Sequence, residues 1–175
     1  MKIAIISDIH DNMHNLKLAY QKAKELGAEQ IICLGDFINP GVPKFLAKSE
    51  IPVFSIWGNN DGEKCLIMRV ALEKGSNLTI SDKIYDFLEI DGRKIFMTHF
   101  GDLAEPMAKS GEYDVVFHGH THEKSENKIG DCLLVNPGEL SSHKTGVASF
   151  SLYNTEDNTA EIVILDSILN TKWEE

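Results

Sequence analysis

The amino-acid sequence predicts an α/β protein with two sheets, and two observations lead to that prediction. The first third of the chain alternates short, continuously apolar runs with segments of helical periodicity, which favours parallel strands joined by helical crossovers. The rest is richer in strands, because a hairpin pattern around Asp91-Gly92 is followed by further apolar runs. Two sheets covered by helices would accommodate both parts of the chain.

Strands and helices alternate in the first third. Leu16, Ala19 and Ala23 recur at helical spacing, and Gly27 follows where helix ends favour a left-handed residue. The predicted strands in this part cover residues 3–7, 31–34 and 53–57. The predicted helices cover residues 13–26, 42–48 and 64–74.

The later part of the chain is predicted to contain one helix, residues 103–109, among several strands. These strands cover residues 84–90, 94–98, 115–118, 133–136, 148–153 and 161–165. No repeat or linker divides the sequence, so residues 1–175 are predicted to form a single domain. The polar tail, residues 170–175, is predicted to fray.

Composition restricts the partners and the location. The net charge of −10 argues against non-specific binding to nucleic acid or to an anionic membrane, although bound cations could still attract a phosphate substrate. No apolar stretch approaches the ~20 residues of a membrane span. The cysteines are odd in number and widely spaced, which is typical of reduced thiols. We therefore expect a cytoplasmic protein without a membrane partner, and a homo-oligomer remains open.

Residues with metal-binding chemistry follow the predicted strands. The candidates are Asp8, His10, Asp36, Asn59, His99, His120 and His122. Because ligands gather at the carboxyl ends of strands in α/β sheets, we expect these side chains to converge. Imidazoles, carboxylates and an amide oxygen, without a thiolate, suit borderline divalent metals. The set is larger than one ion requires, and Asp36 could bridge two ions ~3.5–4 Å apart.

Each candidate taken alone has a simpler interpretation. Aspartate and asparagine favour turns, and His99 could be a core histidine. The order of the candidates along the chain is what favours ligand roles. Three other histidines are not assigned to the site. His118 is predicted to have a structural role, His14 to lie exposed on a helix, and His143 to lie in a polar loop.

In order and spacing, the candidates resemble the pattern of the calcineurin-like metallophosphoesterases. That pattern is D-x-H, G-D-x-x-D, G-N-H-D/E, a lone His and G-H-x-H. It stands here as Asp8-Ile9-His10, Gly35-Asp36-Phe37-Ile38-Asn39, Gly58-Asn59-Asn60-Asp61, His99 and Gly119-His120-Thr121-His122. A single block is weak, but five blocks in order are specific. The short chain resembles the small single-domain phosphodiesterases of this superfamily.

The resemblance implies a four-layer α/β/β/α sandwich that holds two divalent metal ions. One ion is expected to be held by Asp8, His10, Asp36 and His122. The other is expected to be held by Asp36, Asn59, His99 and His120. Manganese is the first expectation, and nickel, iron or zinc remain open.

Two positions depart from the family pattern. Asn39 replaces an aspartate that we expect to have only a supporting role. Asn60 replaces a histidine that lies beside the leaving group in the family and can act as a general acid. An asparagine can contact a phosphate oxygen but cannot deliver a proton.

The function implied is that of a metal-dependent phosphodiesterase acting on a small phosphate ester. A metal-bound hydroxide that bridges the two ions is the expected nucleophile. Two alternatives remain open. One is a non-catalytic metal-binding interaction scaffold, like the retromer subunit that shares the fold, which the substitution at Asn60 favours and the complete ligand set disfavours. The other is a phosphomonoesterase or nucleotidase.

Overall fold

Two β-sheets stacked face to face, with helices outside each of them, form a four-layer α/β/β/α sandwich in this computed structural model, which describes residues 1–165. The predicted fold class is confirmed. The tail of residues 170–175, whose fraying was predicted, lies outside the described residues. The prediction that residues 1–175 form one domain stays a prediction.

The elements follow the predicted order closely. The strands are β1 (Lys2–Ile6), β2 (Gln30–Cys33), β3 (Val53–Ser55), β4 (Leu78–Ile80), β5 (Tyr85–Ile90), β6 (Arg93–Thr98), β7 (Val115–Phe117), β8 (Ser125–Ile129), β9 (Cys132–Asn136), β10 (Ser149–Asn154) and β11 (Thr159–Ile164). The helices are α1 (Met13–Glu25), α2 (Gly41–Leu46), α3 (Lys64–Ala71) and α4 (Gly101–Lys109).

The first sheet has the strand order β11-β10-β1-β2-β3-β4, and the second has the order β5-β6-β7-β9-β8. Strands β1 to β4 pair in parallel, and for β1, β2 and β3 the alternation of strands and helices predicted this arrangement. Strands β6, β7 and β9 also pair in parallel, whereas β5, β8, β10 and β11 pair antiparallel. Each sheet therefore has a block of parallel strands whose carboxyl ends can carry a site.

Both faces of the central strands are buried, which explains why their apolar runs are continuous. In β1, Ile3 and Ile5 pack between the two sheets, while Ala4 and Ile6 pack beneath α1, α2 and α3. The alternation of side chains along a strand produces this division. The fourth layer is α4, which packs through its small residue Ala104 against the outer face of the second sheet.

Two strands were missed. Strand β4 is only three residues long, and β8 is a polar edge strand with exposed residues at its centre, so neither has a clear apolar pattern. The predicted helix over residues 64–74 ends earlier, at Ala71, before Gly75 with its φ of +87°. The three cysteines are free thiols, as predicted; Cys65 is exposed and the other two are buried.

Within residues 1–165, no helix has both the length and the apolar character needed to cross a membrane.

Candidate metal centre

The predicted ligands lie in loops at the carboxyl ends of strands from both sheets. The loop after β1 carries Asp8 and His10, and the loop after β2 carries Asp36. Asn59, His99, and the pair His120 and His122 follow β3, β6 and β7. The backbone in these loops is strained: a positive φ occurs at Asp8, His10, Asp36, His120 and His122. Left-handed backbone at residues other than glycine is uncommon and gathers at functional sites.

Two buried carboxylates lie at the centre, Asp8 and Asp36. The Nε2 atom of His10 lies 3.4 Å from Asp36 Oδ2 and 3.9 Å from Asp8 Oδ1. The Nε2 atom of His99 lies 3.6 Å from Asp36 Oδ2 and 3.9 Å from Asp8 Oδ1. On a third side, His122 Nε2 lies 3.3 Å from Asp8 Oδ1. The carboxylates therefore face one space together with three imidazoles.

Hydrogen bonds fix which nitrogen of two imidazoles faces this space. His99 Nδ1 lies 2.8 Å from the carbonyl oxygen of Leu34, and His122 Nδ1 lies 2.7 Å from Glu139 Oε2. Both partners are acceptors, so each Nδ1 donates to them and each ring turns its Nε2 atom toward the central space. A second hydrogen bond of this kind orients metal-ligating histidines in general. His99 Nε2 also lies 3.0 Å from Asn59 Oδ1, another acceptor.

Within residues 1–165, two buried polar atoms in this space have no hydrogen-bond partner. Asp8 Oδ1 and His10 Nε2 are buried and have no hydrogen-bond partner among the described residues. Leaving such atoms unsatisfied costs about 1–3 kcal/mol each, so a cation among them would remove a real penalty. Two sets of side chains each have their ligand atoms within 4.8 Å of one another. One set is Asp8, His10 and His122, and the other is Asp8, Asp36 and His99. The residues present fit divalent cations.

The other two predicted ligands lie at the periphery. His120 stacks edge-on against His99, with 5.2 Å between ring centroids, and its backbone N–H donates to Asp8 Oδ2 over 3.0 Å. Asn59 is exposed, with its amide oxygen turned toward His99. All seven predicted metal ligands are thus close to the central space, while their roles as ligands remain a prediction.

Asn60 lies at the exposed side of the same space. Its backbone N–H donates to Asp36 Oδ1 and its side-chain amide donates to Asp36 Oδ2, each over 2.8 Å. At the other departure, the side-chain amide of Asn39 donates to the exposed Asp11, which is not a predicted ligand. Of the two departures from the family pattern, only the one at Asn60 touches a predicted ligand.

The loops after β2 and β3 are held together by Asp61. Its carboxylate accepts the backbone N–H groups of Gly58 (2.7 Å) and Phe37 (2.6 Å), as well as that of Asp36 (3.1 Å). Burial raises the pKa of Asp61, and the backbone hydrogen bonds oppose that rise. Asp61 therefore organises the backbone of the site instead of facing its centre.

Sequence reasoning missed Glu139, which follows β9 and is fully buried. Besides holding His122, its carboxylate accepts from Ser141, and from the backbone N–H (2.7 Å) and hydroxyl (2.8 Å) of Thr145. Burial would raise the pKa of Glu139, but these hydrogen bonds outweigh it and lower the pKa to about 2. The criterion that found the ligands, a polar residue after a buried strand, would have found Glu139 if it had been applied to β9.

The three histidines not assigned to the site have different surroundings. His118 is buried, as its structural role predicts, and burial lowers its pKa. His14 is exposed on α1, as predicted. The polar loop that carries His143, in contrast, reaches the site, where the rings of His143 and His10 lie 6.3 Å apart between centroids.

Comparison with known proteins gives consistent matches. The calcineurin-like phosphoesterase superfamily domain matches residues 1–158. Phosphodiesterase MJ0936 of Methanocaldococcus jannaschii is 34% identical over 168 residues, which cover 95% of this chain and 100% of that protein. Phosphodiesterase YfcE of Escherichia coli is 24% identical over 173 residues, with 89% of each chain covered. The solved structure of an archaeal phosphodiesterase has a TM-score of 0.83 at 33% identity and covers 94% of this chain and 100% of its own.

These matches define an enzyme of the phosphoesterase class. The two-sheet fold, with carboxylates and imidazoles at its strand ends, agrees with that class. More particularly, the chain belongs to the calcineurin-like phosphoesterase superfamily, whose domain extends over most of its length. The resemblance inferred from the five sequence blocks is therefore confirmed, and so is the prediction of an enzyme.

Proposed function

We propose that this chain is a phosphodiesterase that depends on two divalent metal ions and hydrolyses a small phosphate diester. The observation that carries the proposal is the pair of buried polar atoms without a partner among the described residues, Asp8 Oδ1 and His10 Nε2. They lie beside the inward-facing Nε2 atoms of His99 and His122. A cation is the partner that suits acceptors gathered from both sheets.

The proposed ligand sets are those of the family pattern. Asp8, His10, Asp36 and His122 would hold one ion. Asp36, Asn59, His99 and His120 would hold the other, so that Asp36 is shared. Support for the sharing comes from Asp36 Oδ2, which lies 3.4 Å from His10 Nε2 and 3.6 Å from His99 Nε2. When bound, such ions oppose the charge of the phosphate and lower the pKa of a water to supply the nucleophile.

The chain's own groups supply position and orientation. Leu34 and Glu139 hold the rings of His99 and His122 with Nε2 toward the substrate side, and Asp61 fixes the loops around Asp36. Asn60 is placed to donate from its amide to a phosphate oxygen, in exchange for its present bond to Asp36. It cannot protonate the leaving group, which favours substrates whose leaving oxygen departs as an anion.

Diesters are proposed over monoesters because two relatives that cover most of this chain are named phosphodiesterases. Manganese is the first proposed ion. A cytoplasmic location is supported by the buried free thiols of Cys33 and Cys132, which are typical of a reducing compartment.

The test is hydrolysis of bis(p-nitrophenyl) phosphate. Protein stripped with a chelator should be inactive, and added manganese should restore turnover, because no side chain is assigned the role of nucleophile. Nickel, iron and zinc are added in parallel to rank the ions, and p-nitrophenyl phosphate compares a monoester with the same leaving group. Full turnover after metal analysis has shown an empty protein would refute the proposal, as would a lack of turnover with every ion.

A further inference from the structure

The loop that follows Glu139, residues 141–145, carries two basic side chains at the edge of the site. His143 and Lys144 are both exposed. The His143 ring lies 6.3 Å from the His10 ring between centroids. Lys144 Nζ donates to the carbonyl oxygen of Thr121 over 3.0 Å, which places the ammonium beside the backbone between His120 and His122.

A buried carboxylate holds this loop in place. Glu139 accepts the backbone N–H groups of His143 and Lys144 over 3.0 Å each, and that of Thr145 over 2.7 Å. The same carboxylate accepts from Nδ1 of His122. The position of the basic loop is therefore fixed relative to a proposed metal ligand.

The start of the loop is also held from the opposite side. The N–H of Ser141 donates to the backbone oxygen of Asp8 over 2.9 Å, and the side-chain amide of Asn12 donates to the carbonyl oxygen of Ser141 over 3.1 Å. Because the backbone is held at several points, binding a ligand at the loop would require little additional ordering.

The basic side chains keep donors available for a ligand. A lysine ammonium has three donors, and the bond to Thr121 uses one of them. Among residues 1–165, no protein group is hydrogen-bonded to the ring nitrogens of His143. In a chain of net charge −10, basic groups fixed at the opening of a site are suited to an anion.

We propose that His143 and Lys144 form a subsite for a second anionic group of the substrate, on the His10–His122 side of the centre. The substrate would be a phosphodiester in which one alcohol carries a further phosphate or carboxylate. This inference rests on the proposed function, in which the metal ions oppose the single charge of the scissile diester. The positive charge of the basic loop then remains for a second anion.

The test uses two diesters with the same p-nitrophenyl leaving group, in which the other alcohol is either ethyl or 2-carboxyethyl. The manganese-loaded wild type should have the lower KM for the carboxylate ester. Lys144→Met should raise that KM roughly tenfold, the value of one hydrogen bond between charged groups, and change the KM of the ethyl ester less than about twofold. His143→Ala should act in the same direction, and Lys144→Arg should restore the preference.

The control variant is Lys128→Met. Lys128 is exposed on β8, paired with Leu133 at the end of the strand pair away from Asn136. Its loss should leave both KM values unchanged. The wild-type preference should also shrink as sodium chloride is raised, because salt screens exposed charges. An equal loss on both esters in Lys144→Met, with metal content and Tm unchanged, would overturn the proposal and assign Lys144 to holding the His120–His122 loop.

A second measurement does not depend on turnover. Calorimetry compares the binding of 3-phosphonopropionate with that of propylphosphonate, which lacks the carboxylate. The wild type should bind 3-phosphonopropionate more tightly, and Lys144→Met should abolish the difference. If neither ester is hydrolysed, the proposed function fails while this comparison still measures the subsite. Equal binding of the two phosphonates by the wild type would overturn the subsite.

Discussion

Asn60 is the residue at which this chain departs most from its family's chemistry. Its backbone N–H and its side-chain amide both donate to the Asp36 carboxylate, so the side chain lies beside the proposed bridging ligand and faces solvent. A histidine at this position would have a ring in place of the amide. Because Asp61 is occupied by the backbone N–H groups of Phe37 and Gly58, it is not free to orient such a ring.

Asn60→His should raise turnover of esters with alkyl or nucleoside leaving groups, whose departing oxygen needs a proton. Aryl esters should change little, since their oxygen leaves readily as an anion. General acids typically contribute ~10²–10⁴-fold, and we expect a smaller gain because no neighbour holds the new ring. The measurement is the ratio of rates for a poor and a good leaving group, in wild type and variant.

Asn60→Ala is the control, because it removes the amide without adding an acid and should slow both esters alike. If the ratio in Asn60→His equals that of the wild type while metal content is intact, Asn60 does not lie beside the leaving group.

Residue types were more predictable than their supporting contacts. Asp8 and His122 could be named from the sequence because ligand chemistry is visible in residue type and strand-end position. Glu139 was missed although it holds His122: its place after β9 carries the same signal as the ligands, but it belongs to none of the five blocks that resemble the family. The approach of His143 to His10 depends on the path of a loop between β9 and β10, which periodicity does not determine.

At the scale of elements, the site depends on loops that approach one another closely. The loop after β7 passes over the loop after β1 at Gly119. A Cβ atom built at Gly119 would lie 2.7 Å from Asp8 Oδ2 and still closer to the hydroxyl of Ser7. Only glycine permits this approach, and it brings the backbone N–H of His120 to the Asp8 carboxylate.

Gly119→Ala should therefore destabilise the protein by ~1–3 kcal/mol, the usual cost of overpacking, and should weaken metal binding by displacing Asp8. Thermal unfolding and calorimetric titration with manganese measure the two effects. Gly41→Ala is the matched control: its Cβ would meet no atom within 4 Å, and it lies at the start of α2 without a positive φ. A Tm for Gly119→Ala equal to that of Gly41→Ala would contradict the close approach.

The elements themselves could be predicted where burial is two-sided. Strands β1, β2 and β7 are continuous apolar runs because the sandwich covers both of their faces. Strand β8 was not predicted because, as an edge strand, it buries little and carries polar residues. Helix α4 was predicted to begin at residue 103, but it begins at Gly101, immediately after the predicted ligand His99 and Phe100.

At the scale of the whole molecule, the site lies where the two sheets meet. Asp8 and Asp36 come from the first sheet, whereas His99 and His122 come from the second. Both carboxylates are buried there, and the Nε2 atoms of His99 and His122 face their oxygens. Without a cation this junction contains unsatisfied acceptors, so metal binding and the stability of the sandwich should be coupled.

Manganese should therefore raise the Tm of chelator-stripped protein. At a hundredfold excess over its Kd, one ion stabilises a folded chain by ~2.7 kcal/mol, which corresponds to roughly 5–10 °C for a domain of this size. Asp36→Asn should lose the whole increase because it removes the proposed shared ligand, and His122→Ala should retain part of it.

The control is Asp131→Asn, at the exposed turn between β8 and β9, which should keep the full increase. The increase should also shrink on acidification, because an imidazole must be neutral to bind a metal. Equal increases in Tm for Asp36→Asn and Asp131→Asn would show that Asp36 does not hold the ions. They would also contradict the coupling between metal binding at Asp36 and the stability of the sandwich.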